Sequence, residues 1–348
     1  MTQRLLILVL LVWGALPATP AAARGLDIYF VDVEGGAATL IVTPAGESLL
    51  VDTGYPREDA RDAKRIAAAA REAGLKRIDH LITTHYHRDH WGGLADLAKL
   101  IPLGRFYDHG RLSELAEDKA GFPKLNEAYS TITGNKSTAL KPGDHIALRW
   151  APGSQQVSLK VLAADGRVLP ASNGGDNPAC GGVALQKDDP SDNARSVGFL
   201  LRLGDFRFLD LGDLTWNVEH RLVCPVNAIG EVTLYQVTHH GLNTSNNAAL
   251  LGSVRPQVAV MNNGPRKGGH PEVTKALRSV EGIEAIYQVH RNIATTDDDN
   301  TGPDLIANLG PEDTCEGRMI KVSVAPDGSS YTVTNGRTGQ SRTFQTRQ

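Results

Sequence analysis

Apolar and polar positions alternate through residues 26–33, and that period of two predicts a strand. Apolar runs at residues 37–43 and Ser48–Val51 predict two more, turned at Pro44-Ala45-Gly46, with Asp52-Thr53-Gly54 ending the meander. Residues 56–73 are rich in Ala, Arg and Glu and predict a helix stopped by Gly74. The apolar run at 78–83 predicts a buried strand, and Leu94–Leu100 has helical spacing. Residues 104–156 are less regular, broken by Gly and Pro, and read as an insertion that walls a cleft. A strand at 157–162 and a long Gly/Asn/Asp-rich loop at 171–193 follow.

Beyond the loop, 197–203 and 206–211 predict a hairpin turned at Gly204-Asp205. Strands at 232–237, 257–261 and 285–289 alternate with helices at Ala248–Val254 and 271–280. A terminal hairpin, at about 316–345, turns at Pro326-Asp327-Gly328. Strand meanders separated by helices imply an α/β fold of two sheets with helices outside.

The ends and the composition add limits. Residues 1–23 combine a charged start, a short apolar core and Ala21-Ala22-Ala23, the pattern of a secretory leader cut near Ala23. The expected organisation is a leader over 1–23 and one large α/β domain over 24–348, periplasmic or secreted, with no membrane-spanning segment in the mature chain. The net charge of −3 argues against avid, nonspecific nucleic-acid binding. The three cysteines, Cys180, Cys224 and Cys315, allow one disulfide and one free thiol without fixing the pair.

Candidate chemistry concentrates in His85-Tyr86-His87-Arg88-Asp89-His90, directly before Trp91-Gly92-Gly93. On a strand-to-helix loop, His85 and His87 point the same way and can share a metal, while Asp89 and His90 turn toward a second. Imidazole and carboxylate together suit zinc, with manganese as the alternative. Asp213 ends a strand and is placed to bridge two metals; Asp210, inside that strand, reads as structural. Of Thr238-His239-His240-Gly241, His239 is the favoured ligand, with His240 on substrate and the reverse assignment left open. Asp52 can orient a histidine from behind, and His270, before Pro271, is a further catalytic candidate.

The order D-x-G, H-x-H-x-D-H, G-D, H-H-G resembles the metallo-β-lactamase superfamily over nearly the whole mature chain. Within it, Phe30-Val31-Asp32-Val33, Asp192-Asn193-Ala194-Arg195-Ser196, Gly204-Asp205-Phe206, His239-His240-Gly241 and Gly269-His270-Pro271 resemble the hydrolase-like domain of the DNA-uptake protein ComEC. The resemblance implies an αββα sandwich and a metal-dependent hydrolase using a metal-bound hydroxide. It implies two Zn2+ (or Mn2+) per chain, held by His85, His87, Asp89, His90, Asp213 and His239, with Asp89 also catalytic.

Two departures stand out. Glu34-Gly35-Gly36 replaces Q-G-D, and the superfamily's middle histidine has no clear match. Asn193 falls near its place, with His109 and His145 as looser candidates. A phosphodiester or related ester is the favoured substrate, nucleic acid included, and Arg88, Arg266, Lys267 and Arg291 are candidate phosphate clamps. The alternatives are a lactone, β-lactam or other amide or ester, or a non-catalytic protein that only holds metal.

Overall fold

The computed structural model describes residues 23–171 and 174–347; the expected leader lies outside them except for Ala23. Two mixed sheets pack face to face with helices on both outer surfaces, the metallo-β-lactamase-like αββα sandwich. The first sheet runs in the order Ser341–Gln345, Ser330–Asn335, Ile320–Val324, Leu26–Phe30, Thr39–Val42, Ser48–Val51, Ile78–Ile82, Leu103–Asp108, Thr138–Ala139. The second runs Ile306–Asn308, Ala285–His290, Val258–Met261, Leu234–Gln236, Phe206–Asp210, Gly198–Leu203, Val157–Ala164, His145–Ile146, with Arg167–Val168 also paired to Val157–Ala164.

Alternation explains the three-layered interior. In Leu26–Phe30, Leu26, Ile28 and Phe30 face the second sheet, while Tyr29 joins Val31 and Val33 beneath the outer helices. Phe30 and Phe199 each meet Phe208 edge to face, with centroids 6.0 and 6.1 Å away, between the sheets. The helix Arg61–Glu72 buries Ala63, Ile66, Ala67 and Ala70 on one sheet's back, beside Leu94–Leu100. The helices Trp216–Val223, Ala248–Val254 and Pro271–Arg278 cover the other.

Several expectations shift. The first helix starts at Arg61, because Asp59 accepts the Arg61 N–H and Ala60 turns left-handed at φ 55°. The irregular stretch at 104–156 contains the strand Leu103–Asp108 and the helix Phe122–Thr133, so its glycines at 121 and 134 bound a helix rather than break one. The helix Trp216–Val223 and the strand Ile306–Asn308 are additional elements, and Ser341–Gln345 makes the C-terminal unit three-stranded. That last strand is polar except for Phe344, which buries against Tyr331. The free-pairing question among the cysteines resolves as Cys180–Cys224, leaving Cys315 as the free thiol. No helix among the described residues is long and apolar enough to cross a membrane.

One buried carboxyl in the outer layer gives a pH test. Glu219 is enclosed; one oxygen accepts the Asn247 N–H at 2.8 Å and the other has no partner. Burial pushes its pKa up to about 7, against the pull of the Asn247 N–H. An acid whose folded pKa exceeds its unfolded value contributes stability below the unfolded pKa, near 4.5, and loses it as pH rises toward 7. Glu219→Gln, neutral throughout, is therefore expected to gain thermal stability over the parent between pH 5 and 8, on the order of 2 kcal/mol by linkage. Parallel melting curves at those two pH values check this; an unchanged gap would contradict the assignment.

Candidate metal centre

Most of the candidate donors converge where strands of both sheets end. The strand Ile78–Ile82 releases the loop carrying His85 and His87, and the short helix Arg88–Trp91 then presents Asp89 and His90. Asp52 follows Ser48–Val51, and Asp213 follows Phe206–Asp210 across a left-handed Gly212. A Cβ at Gly212 would stand 3.0 Å from Thr84 and 3.2 Å from Ser196, so only glycine lets the chain pass there. An aromatic cluster supports the loop from below: Tyr86 packs on Trp91, His109, Phe122 and Tyr129. The helix of the 104–156 insertion thus braces the histidine loop.

Asp89, His90, Asp213 and His240 bring four donor atoms within 4.8 Å of one another, all buried. Asp213 Oδ2 lies 3.1 Å from His90 Nε2 and 3.3 Å from His240 Nε2; Asp89 Oδ2 lies 3.3 and 3.2 Å from the same nitrogens. It is His240, not the favoured His239, that the fold places in this tetrad. Both residues take the left-handed conformation, at φ 54° and 56°. For a residue with a Cβ that conformation costs energy and persists only where surroundings impose it. The result is that consecutive imidazoles reach the same carboxylate from different directions. His239 Nε2 sits 3.5 Å from Asp213 Oδ2 and 3.4 Å from Asn193 Nδ2, with its Nδ1 held between Ser245 and Thr244 hydroxyls.

A second group of donors lies around the same carboxylate. His85 Nε2 is 4.0 Å from Asp213 Oδ2, and the His85 and His87 rings are 4.7 Å apart. His85 Nε2, His87 Nε2 and Asn193 Oδ1 are all buried without a hydrogen-bond partner. Buried polar atoms are ordinarily satisfied, and the unsatisfied nitrogens of the neighbouring His85 and His87 rings fit a divalent cation. Asn193 stands in the region where the middle histidine was sought. His109 instead pairs with Asp192, at 3.2 Å, and His145 lies exposed on an edge strand opposite Lys160.

Charges are balanced within the cluster. Burial works against a charged His90, but Asp213, Asp89 and Asp52 outweigh it and hold its pKa well above the ordinary value. Burial would raise Asp89; His90 and Lys267 outweigh that and hold it well below. His85 is pushed down by burial and by its histidine neighbours, so it is neutral and ready to ligate. Asp52 accepts from the Thr84 N–H at 2.8 Å, the Thr84 hydroxyl at 2.7 Å and His90 Nδ1 at 2.6 Å. Its bond to Nδ1 leaves Nε2 facing the centre, the usual task of a carboxylate behind a metal-bound imidazole.

The basic candidates separate. Arg266 pairs with Glu312, Arg291 with Asp297 and Arg88 with Asp118, all toward the surface. Lys267 alone reaches the centre, where Nζ pairs with Asp89 and lies 3.4 Å from the Tyr55 hydroxyl. Its loop is held in place at Gly268, left-handed, where a Cβ would fall 2.0 Å from the His240 carbonyl oxygen. His270 caps the following helix through its backbone, its carbonyl accepting the Val273 and Thr274 N–H groups while its own N–H donates to Gly241, and its side chain makes no hydrogen bond among the described residues.

Two residues escaped the sequence reading. Asp192 accepts the Tyr86 N–H at 2.7 Å and pins the backbone between His85 and His87. Glu117, from the insertion, accepts the Asp192 N–H at 2.7 Å and lies 3.6 Å from His87 Nε2. The D-N-x-x-S resemblance marked the first; nothing local marked the second.

A model of the metallo-beta-lactamase superfamily matches residues 31–169. A UPF0173 metal-dependent hydrolase of Cupriavidus necator is 25% identical over 266 residues, covering 75% of this chain and 82% of that protein. Competence protein ComA of Neisseria gonorrhoeae is 26% identical over 250 residues, covering 72% of this chain but only 28% of that protein. Among solved structures, CmlA, a diiron β-hydroxylase from Streptomyces venezuelae, aligns at 17% identity with a TM-score of 0.43, covering 76% of this chain and 52% of that one. The fold and the buried tetrad together support a metal-dependent hydrolase with a metallo-β-lactamase-like sandwich.

Proposed function

We propose that the chain is an exported hydrolase that uses two divalent cations, zinc or manganese, to cleave a phosphodiester or a related ester. The observation that carries this reading is the buried group Asp89, His90, Asp213 and His240, with His85 Nε2 4.0 Å from the same Asp213 oxygen and, like His87 Nε2 and Asn193 Oδ1, buried without a hydrogen-bond partner. A set so rich in imidazole suits zinc first. The leader-like residues 1–23 and the Cys180–Cys224 disulfide support export to an oxidising compartment.

Cations bound there supply Lewis acidity and a water acidified to near-neutral pH. The chain's own groups do the rest. Asp52 fixes the His90 ring, Asp192 fixes the loop of His85 and His87, and Ser245 and Thr244 fix His239. With Asp89 holding a cation, Lys267 Nζ would stay beside Tyr55 and its charge would be available to an anionic oxygen of the substrate. A charge on the pocket wall favours a phosphodiester over a neutral ester, as does the resemblance to the DNA-uptake domain.

Turnover of bis(p-nitrophenyl) phosphate and of neutral p-nitrophenyl acetate, with zinc or manganese restored, tests the reading. Lys267→Met is expected to raise KM for the phosphodiester by about tenfold, the worth of a charged hydrogen bond, while sparing the acetate. Equal losses on both substrates would remove the anion-binding role. No phosphodiester turnover by the metal-loaded parent would remove the substrate class.

A further inference from the structure

A separate group of ligand-type side chains lies where the first strand meets the C-terminal segments. Asp32 follows Leu26–Phe30, His290 ends Ala285–His290, and Cys315 follows the turn Glu312–Thr314. Asp32 Oδ1 is 2.6 Å from His290 Nε2, Asp32 Oδ2 is 3.0 Å from Cys315 Sγ, and Sγ is 3.9 Å from Nε2. Asn308 Oδ1 stands 3.6 Å from Sγ on the remaining side. Asp32 and His290 are both 0% exposed, whereas Cys315 is part-exposed. It lines a surface cavity of about 220 Å³ with Asn308, Thr314 and Arg318, which gives an ion a way in.

A plain hydrogen-bond network accounts for part of this. Arg65 donates to Asp32 Oδ2 at 2.9 Å and to the Cys315 carbonyl at 3.3 Å. It leaves Glu34 Oε1 and His290 Nδ1 buried without hydrogen-bond partners. It also leaves a charge imbalance. With His290 neutral, the linked charges are Asp32, Glu34 and Asp62 against Arg61 and Arg65, one negative in excess. A thiolate at Cys315 would bring the excess to two, the charge of a divalent ion.

We propose that Asp32, His290 and Cys315 form a second kind of cation site, structural rather than hydrolytic, for a thiophilic divalent ion such as Zn2+. One carboxylate, one imidazole and one thiolate are zinc ligands, and Asn308 or a water completes four. Bonds of about 2.0 Å to N and O and about 2.3 Å to S require only small shifts of the three side chains from their present spacing. Burial and the Asp32 carboxylate push the free thiol up to about 12, so the metal-free form keeps its proton. On binding, that proton leaves Sγ for solvent, and the imidazole proton resides on Nδ1 while Nε2 ligates. The ion would tie three distant segments together next to Asn263, whose side chain already donates to the His290 carbonyl at 2.8 Å.

Cobalt substitution of the disulfide-intact protein tests this independently of any hydrolysis. The hydrolytic centre holds no sulfur, and Cys180 and Cys224 are joined, so thiolate-to-cobalt charge transfer can arise only at Cys315. The near-ultraviolet band is expected to saturate at one cobalt per chain and to vanish in Cys315→Ser, while visible cobalt absorption from the centre persists. Asp213→Ala is expected to show the converse. His290→Gln is expected to weaken the band's binding isotherm and serves if Cys315→Ser does not fold. Absence of the band at saturating cobalt, or its survival in Cys315→Ser, overturns the proposal, as does alkylation of Cys315 at the same rate with and without Zn2+.

Discussion

Asp213→Ala is expected to abolish turnover and to lower the metal bound per chain, with the sandwich intact. Asp213 Oδ2 lies 3.1 to 4.0 Å from nitrogens of His90, His240, His239 and His85. Alanine removes a carboxylate shared by four imidazoles while vacating little volume, and the residue lies outside all three hydrophobic clusters. Loss of an outer partner of a metal site alone costs roughly 10–100-fold in affinity or activity, so loss of a shared ligand should exceed that range. Elemental analysis, turnover and far-ultraviolet circular dichroism on one preparation decide it. Full metal content with undiminished turnover would mean that the donor sets do not share this carboxylate.

The second large effect is expected at Asp52, which touches no substrate. Asp52→Ala should weaken metal binding by roughly 10–100-fold through the His90 ring alone. It should also destabilise the metal-free protein by about 3 kcal/mol, since a buried, hydrogen-bonded charge pair loses one member. Burial pushes the Asp52 carboxyl up, against the pull of His90 and Thr84, so this pair is held by its contacts rather than by solvent. Asp52→Asn keeps one acceptor oxygen, enough for His90 Nδ1 or for the Thr84 N–H but not for both, and should lose less than alanine on both counts. Competition with a chromophoric chelator reads the affinity and denaturant melts read the stability. Equal behaviour of the two variants would show that charge, not ring orientation, is what Asp52 provides.

Much of this was legible in the chain because strand-end ligands carry their own punctuation. The histidine run, Asp52 and Asp213 each follow an apolar run short enough to read as a buried strand, and the fold brings those strand ends together. What the chain conceals is direction. His239 and His240 are adjacent, and only the left-handed backbone at both decides which joins Asp89. Periodicity cannot report that, because the conformation is imposed from outside: the His239 N–H donates to Gly212, and the His240 carbonyl accepts from Gly269. Lys267 illustrates the same limit. Among four basic candidates only tertiary packing separates the one at the centre from three that pair with surface carboxylates. The helix Phe122–Thr133 was hidden because its buried face, Phe122, Tyr129 and Thr133, is sparse and partly polar.

The pairing of Leu26–Phe30 with Ile320–Val324 carries a consequence for how the molecule is made. The strand that opens the described chain has a neighbour near the opposite end, so its outer edge stays unpaired until almost every residue is available. Contacts of such long sequence separation form late and slowly. The histidine loop comes from the first third of the chain, whereas Asp213 and His240 come from the second half. A chain still emerging from the ribosome therefore holds the histidine loop without Asp213 and His240. A complete donor set belongs to the finished molecule, and a cation bound there would report the supply in whichever compartment folding ends.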